Sequence, residues 1–235
     1  MTETDARPPE RDPASRPPEG GWWRSRSVRS WTVAFVATVV VTWSVSSWIV
    51  QPFRIPSGSM EDTLRVGDRV LVNKLAYRFG DPVRRGDVIV FDGAGSFTAA
   101  APPQDRGPLL GLLHGAAAAV GLAEPSETDF VKRVIGVGGD RVSCCDAEGR
   151  IEVNGEALDE PYLHPGDAPS EVRFDIEVPE GRLWVMGDHR SDSADSRQYL
   201  GSPGGGTVPV NRVVGRVEGI AWPVGRWGSV DSGHE

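Results

Sequence analysis

The chain has little of several things, and each shortage excludes a chemistry. Two cysteines in 235 residues cannot build a disulfide framework or a four-thiolate zinc site. Basic charge is short, with 25 Lys and Arg against 33 Asp and Glu for a net −8, which argues against a phosphate-backbone binder. No His-Glu-x-x-His is present, so the common helical zinc-protease arrangement is absent, and no Gly-x-Ser-x-Gly elbow exists. Neither lysine has a serine three residues before it, which removes the Ser-x-x-Lys pattern. Lysine itself is scarce. Lys74 and Lys132 are the whole complement, so a reaction needing a deprotonatable amine has two candidates, arginine being permanently charged.

What is plentiful is Gly and Pro, 29 and 19 residues, which favours many turns over a helical bundle. Residues 1–30 combine prolines with mixed charge and predict a disordered cytoplasmic tail. From Trp31 to Val50 there is no charge, and a helix of that length spans about 30 Å, the hydrocarbon thickness of a bilayer. Arg24, Arg26 and Arg29 before it predict an inside N-terminus and an extracytoplasmic remainder. The run ends in Trp48-Ile49-Val50-Gln51-Pro52-Phe53 without a small-residue cleavage pattern, so the reading is an uncleaved single-pass anchor over 31–50 in the plasma membrane. A domain over 51–228 follows, then a flexible tail over 229–235.

Within that domain, β-branched runs at Val70–Val72, Val88–Phe91, Phe130–Val137, Ile151–Val153, Val172–Val178, Leu183–Met186 and Val213–Ile220 alternate with turn signals. They predict a mostly β fold, a coiled or barrel-like antiparallel sheet. Leu109–Ala123 is the exception, an apolar stretch too short for a confident span and read as an inserted surface or interfacial helix.

Three stretches can carry chemistry. Ile55-Pro56-Ser57-Gly58-Ser59-Met60 begins a few residues past the anchor, and its Pro and Gly suit a turn that exposes Ser59, although Ser-Gly-Ser alone is usually only a turn. Lys132 lies inside the apolar run Phe130–Val137. An amine desolvated there loses charge, and a neutral amine can take a proton from a serine hydroxyl. Gly187-Asp188-His189-Arg190-Ser191-Asp192-Ser193-Ala194-Asp195-Ser196-Arg197 is a polar loop in which Asp195 and Arg197 can pair and Ser193 can bond a neighbouring amine. His189, beside Asp188 and Asp192, is the rival base. A non-catalytic tethered β domain is the remaining rival. Cys144 and Cys145 are adjacent, as a vicinal disulfide or as two thiols.

Taken in order, the stretches resemble the boxes of the bacterial type I signal (leader) peptidases, a Ser/Lys-dyad family. Ser57-Gly58-Ser59-Met60 is similar to the nucleophile box and Arg85-Gly86-Asp87-Val88-Ile89-Val90-Phe91 to a structural strand box. Lys132-Arg133-Val134 with Gly139-Asp140 is similar to the base box, and Gly187-Asp188 with Arg190, Ser193, Asp195 and Arg197 to the last box. The resemblance implies Ser59 as nucleophile, Lys132 as general base, and the Ser57 hydroxyl with the Ser59 N–H as oxyanion hole. It implies Ser193 orienting Lys132, Asp195 and Arg197 bracing the loop, and Met60 by the substrate pocket. It further implies the coiled β-sheet fold shared with the self-cleaving SOS repressors, a small cap-like insertion at about 141–182, and no metal or other cofactor. The implied partners are secretory preproteins, cut after small residues at −3 and −1, and the lipid bilayer, with no nucleic acid and a monomeric enzyme. Asp62, Gly138, His189, Ser191 and Asp192 depart from the common pattern without removing an implied catalytic group.

Overall fold

The computed structural model describes residues 30–41, 49–98 and 128–231. Two compact units are distinguished, Met1–Trp43 and Ser44–Glu235. In the first, residues 30–41 form an α-helix whose side chains, Trp31 and Phe35 among them, are exposed. Among the described residues no helix is long and apolar enough to cross a membrane. Of the expected span over 31–50, residues 42–48 lie outside the described residues, and Val50 opens a strand instead of closing a helix. The reason is local. Pro52 has no N–H for a helical bond but is tolerated on a sheet edge, and the segment Val50–Arg54 is an edge strand.

The described residues of the second unit form twelve strands: β1 (Val50–Arg54), β2 (Arg69–Asn73), β3 (Val88–Asp92), β4 (Asp129–Val137), β5 (Arg141–Cys144), β6 (Ile151–Val153), β7 (Glu156–Ala157), β8 (Phe174–Glu177), β9 (Arg182–Met186), β10 (Val208–Pro209), β11 (Val213–Trp222) and β12 (Gly228–Ser229). The larger sheet runs β1-β2-β11-β3-β4-β9-β10, with β12 also on β11; the smaller runs β7-β6-β5-β8. The ladders between these strands are antiparallel. Register shifts on β11 and between Val134 and Gly136 of β4 mark bulges, which bend and coil a sheet. At Gly219 a Cβ would stand 2.5 Å from the Gly228 carbonyl, so only glycine lets β12 approach there.

β3, β4 and β9 are buried on both faces, which is why they read as continuous apolar runs rather than as alternating ones. One core cluster gathers Phe53, Ile55, Met60, Leu64, Val70 and Val131; a second, Ile135, Val142, Ile151, Phe174 and Trp184; a third, Ile89, Phe91, Phe97, Val134 and Val185. The smaller sheet lies within the stretch expected as a cap-like insertion. Its β6–β7 hairpin turns on Asn154 and Gly155, both at positive φ, as a two-residue primed turn requires. Cys144 and Cys145 are joined as a disulfide.

Of the tail expected to be flexible over 229–235, residues 229–231 are described. Ser229 pairs with Gly219, the Val230 N–H donates to Glu218, and the Asp231 carbonyl accepts from Arg133, so the tail is tied down through 231. Residues 232–235 lie outside the described residues, as does the apolar stretch Leu109–Ala123.

Candidate active site

Ser59 sits in the loop between β1 and β2. Ile55, Met60 and Leu64 from the same loop are sunk in the core and fix its path. Turn bonds from Glu61 N–H to the Gly58 carbonyl and from Leu64 N–H to the Met60 carbonyl, 2.9 and 2.7 Å, close it. Ser59 itself is buried at 6% exposure, while Ser57 is exposed. The two hydroxyls are 3.4 Å apart. Among the described residues the Ser59 N–H donates to no acceptor.

Lys132 reaches this loop from β4, where it stands opposite Ile89 of β3. Its Nζ donates to Ser59 Oγ at 2.5 Å, and the side chain is 3% exposed. Burial pushes the amine down from its ordinary value to about 8, against the opposing pull of the Asp195 and Asp188 carboxylates. The result is an amine that is partly neutral close to neutral pH.

The loop 187–197 closes the other side. The His189 N–H donates to the Ser59 carbonyl at 3.2 Å. Asp195, fully buried, is bracketed by Arg197, whose Nε donates to Oδ1 at 2.9 Å and Nη2 to Oδ2 at 2.8 Å. Asp195 also accepts from the Gly187 N–H at 3.0 Å and from the Ser193 hydroxyl at 2.7 Å. Gly187 has no room for a side chain: a Cβ would collide with Ser193 and the Ser59 carbonyl.

The residues singled out in the sequence are not all placed alike. Ser57, Ser59 and Lys132 converge, and the Asp195–Arg197 pair forms beside them. Ser193 is placed at the same loop, but its hydroxyl donates to Asp195 rather than to Lys132. Met60, expected by a substrate pocket, is 1% exposed and lies in the core, beneath the site. His189 is not bonded to Ser59 through its ring; it holds the serine's carbonyl through its backbone.

Sequence reasoning passed over a second layer. Arg133, next to Lys132, forks onto Asp188, which also accepts from Thr63 of the nucleophile loop at 2.6 Å. The Arg133 guanidinium lies 3.9 Å from the Tyr162 ring centre. Arg190 pairs with Glu160 while both are buried. An arginine beside the candidate base, inside an apolar run, was the available signal for the first of these; Tyr162 and Glu160 gave none.

A buried hydroxyl in contact with a desolvated amine, on an antiparallel β scaffold, is the equipment of a serine hydrolase. Residues 28–222 match the model of the family described as "Signal peptidase, peptidase S26". The chain is 39% identical over 231 residues to the "Probable signal peptidase I" of Mycobacterium leprae, covering 86% of this chain and 79% of that protein. It is 40% identical over 226 residues to the "Signal peptidase I" of Mycobacterium tuberculosis, with 88% and 76% covered. The crystal structure of an Enterococcus faecalis signal peptidase I matches at 23% identity with a TM-score of 0.36, over 58% of this chain and 97% of that one. The chain belongs to the signal peptidase family, peptidase S26, and is a serine endopeptidase.

Proposed function

We propose that the protein is a membrane-anchored endopeptidase that removes N-terminal signal peptides from secretory preproteins by a Ser59 nucleophile and a Lys132 general base. The observation that carries this reading is the 2.5 Å contact between Lys132 Nζ and Ser59 Oγ in a setting that lowers the amine's proton affinity. Neutral Lys132 takes the proton from the Ser59 hydroxyl as Oγ attacks the scissile carbonyl carbon. The developing oxyanion accepts hydrogen bonds from the Ser59 N–H and the Ser57 hydroxyl. The Lys132 ammonium returns its proton to the leaving amine, and the acyl group stays on Ser59. Lys132 then deprotonates a water, which attacks the ester carbon, and Ser59 recovers its proton.

Ser193, Asp195 and Arg197 hold the loop against which Lys132 rests, with Met60 beside the substrate pocket. The uncharged segment 31–50 supplies the anchor, with the N-terminus cytoplasmic and the peptidase domain outside. At most about 30 Å of extended chain separates Val50 from Ser59, which keeps the site near the bilayer surface where a preprotein's apolar segment lies. Cleavage follows small residues at −3 and −1, and the enzyme acts as a monomer without metal or other cofactor.

The test is incubation of the detergent-solubilised protein with a defined preprotein and mapping of the cut by mass spectrometry. Wild type releases a fragment ending in a small residue, and Ser59→Ala releases none. The same cut by the variant would refute the assignment.

A further inference from the structure

Two imidazoles and a carboxylate converge in a place the peptidase chemistry does not use. His164 and Asp167 lie in the stretch joining β7 to β8, and His189 lies in the loop after β9. The two rings stack with centres 4.0 Å apart and planes 14° from parallel. One ligand atom from each of His164, Asp167 and His189 lies within 4.8 Å of the others, and among the described residues this is the one such cluster of His, Cys, Asp or Glu.

The Nδ1 atoms of both histidines are buried without a hydrogen-bond partner. Buried polar atoms are normally paired, so two orphans on a pair of stacked rings call for a missing partner. Asp167 is already oriented: Ser191 donates to its carboxylate from the backbone N–H at 3.1 Å and from the hydroxyl at 2.8 Å. This is the second layer of bonds that fixes the carboxylate in metal sites. Pro165 and Gly166, which separate His164 from Asp167, are exposed and give access from solvent.

We propose that His164, Asp167 and His189 form a binding site for a zinc-like divalent transition-metal cation, with the remaining coordination position taken by water. Two nitrogens and one carboxylate suit zinc and its neighbours rather than calcium or magnesium, which take oxygen ligands. In a tetrahedral site with ligands about 2.0–2.1 Å from the metal, ligand atoms stand about 3.4 Å apart. The ligand atoms already lie within 4.8 Å of one another, and side-chain rotation out of the stacked arrangement brings them to that spacing.

The cation clamps the β7–β8 stretch to the loop 187–197. That junction already carries a bond from the His164 N–H to the Asp188 carbonyl at 3.0 Å, and His189 in turn holds the Ser59 carbonyl. Metal binding therefore stiffens the backbone behind the nucleophile without needing the side chain of Ser59 or Lys132, and it stands or falls apart from the peptidase mechanism.

The test uses the full-length, detergent-solubilised protein after chelator treatment and dialysis. Zn²⁺ is titrated by calorimetry and Co²⁺ by its visible absorption. One equivalent is expected to bind to wild type and equally to Ser59→Ala, with a rise in Tm. His164→Gln and Asp167→Asn are expected to keep the metal-free Tm and the metal-free peptidase activity, to weaken binding about 100-fold or more, and to lose the rise in Tm; Ser191→Ala weakens binding about tenfold. Wild type that binds no Zn²⁺ at micromolar concentrations overturns the proposal. So does His164→Gln or Asp167→Asn that binds as tightly as wild type, because the cation would then sit elsewhere.

Discussion

Arg133 and Asp188 form a two-pronged ion pair, Nε to Oδ1 at 2.9 Å and Nη2 to Oδ2 at 2.8 Å, with neither side chain more than 1% exposed. The pair joins the strand that carries Lys132 to the loop that closes over it. The other guanidinium nitrogen of Arg133 donates to the Gly86 and Asp231 carbonyls. One side chain thus gathers β4, the turn before β3, the last loop and the C-terminal segment.

A buried pair of this kind is costly to half-remove, because a charge is left without its partner. Asp188→Ala is expected to destabilise the protein by about 3–5 kcal/mol, and the double variant with Arg133→Met is expected to recover much of that loss. Denaturant midpoints of the two single variants and the double measure it. A double variant as unstable as the sum of the singles would show that the pair is not coupled.

Lys132→Met replaces the amine with an uncharged side chain of similar length. It is expected to abolish cleavage and at the same time to stabilise the fold at pH 7. A lysine whose value falls from 10.5 to about 8 on folding gives up on the order of 3 kcal/mol of stability below pH 8. The unfolded chain binds the extra proton between pH 8 and the usual lysine range, so that cost shrinks as pH rises through this window. A thermal melt at pH 7 and another near pH 10 check the sign, the gain from the substitution being larger at the lower pH.

The activity itself is expected to follow the neutral amine. kcat/KM should fall about tenfold for each pH unit below 7 and reach half its maximum near pH 8. A profile that stays flat down to pH 5 would point to a carboxylate, and a midpoint in the ordinary imidazole range, about 6.5, to a histidine base.

Ser57→Ala removes an exposed hydroxyl 3.4 Å from Ser59 Oγ. Turnover is expected to fall about 10²–10³-fold, with Tm within the small range seen for surface substitutions. Steady-state kinetics beside a melt separates the two, and a loss of activity matched by unfolding would assign Ser57 to structure instead.

The parts of this molecule that were legible in the sequence are those written in short range. β-branched runs mark β2, β3, β4, β6, β8, β9 and β11 because their composition and turn signals are local. Lys132 stood out because every near neighbour in its run except Arg133 is apolar, and that burial is what lowers its proton affinity. β1 is hidden because Val50 carries the same apolar composition as the segment before it, and only pairing with β2 makes Val50–Arg54 a strand. The Arg133–Asp188 and Arg190–Glu160 pairs join residues 55 and 30 positions apart, and no local pattern encodes such a meeting. The burial of Met60 in one core cluster with Phe53 and Leu64 is likewise a matter of long-range packing that no local pattern shows.

The scarcity of lysine gives the account its most direct test. With the lysine side-chain nitrogens isotopically labelled, the protein shows at most two lysine signals by NMR, and Lys132→Met assigns them by removing one. The Lys132 signal is expected to titrate with a midpoint near 8. A midpoint in the ordinary lysine range, about 10.4, would contradict it, because the amine would then carry its proton at the pH where the serine must lose one.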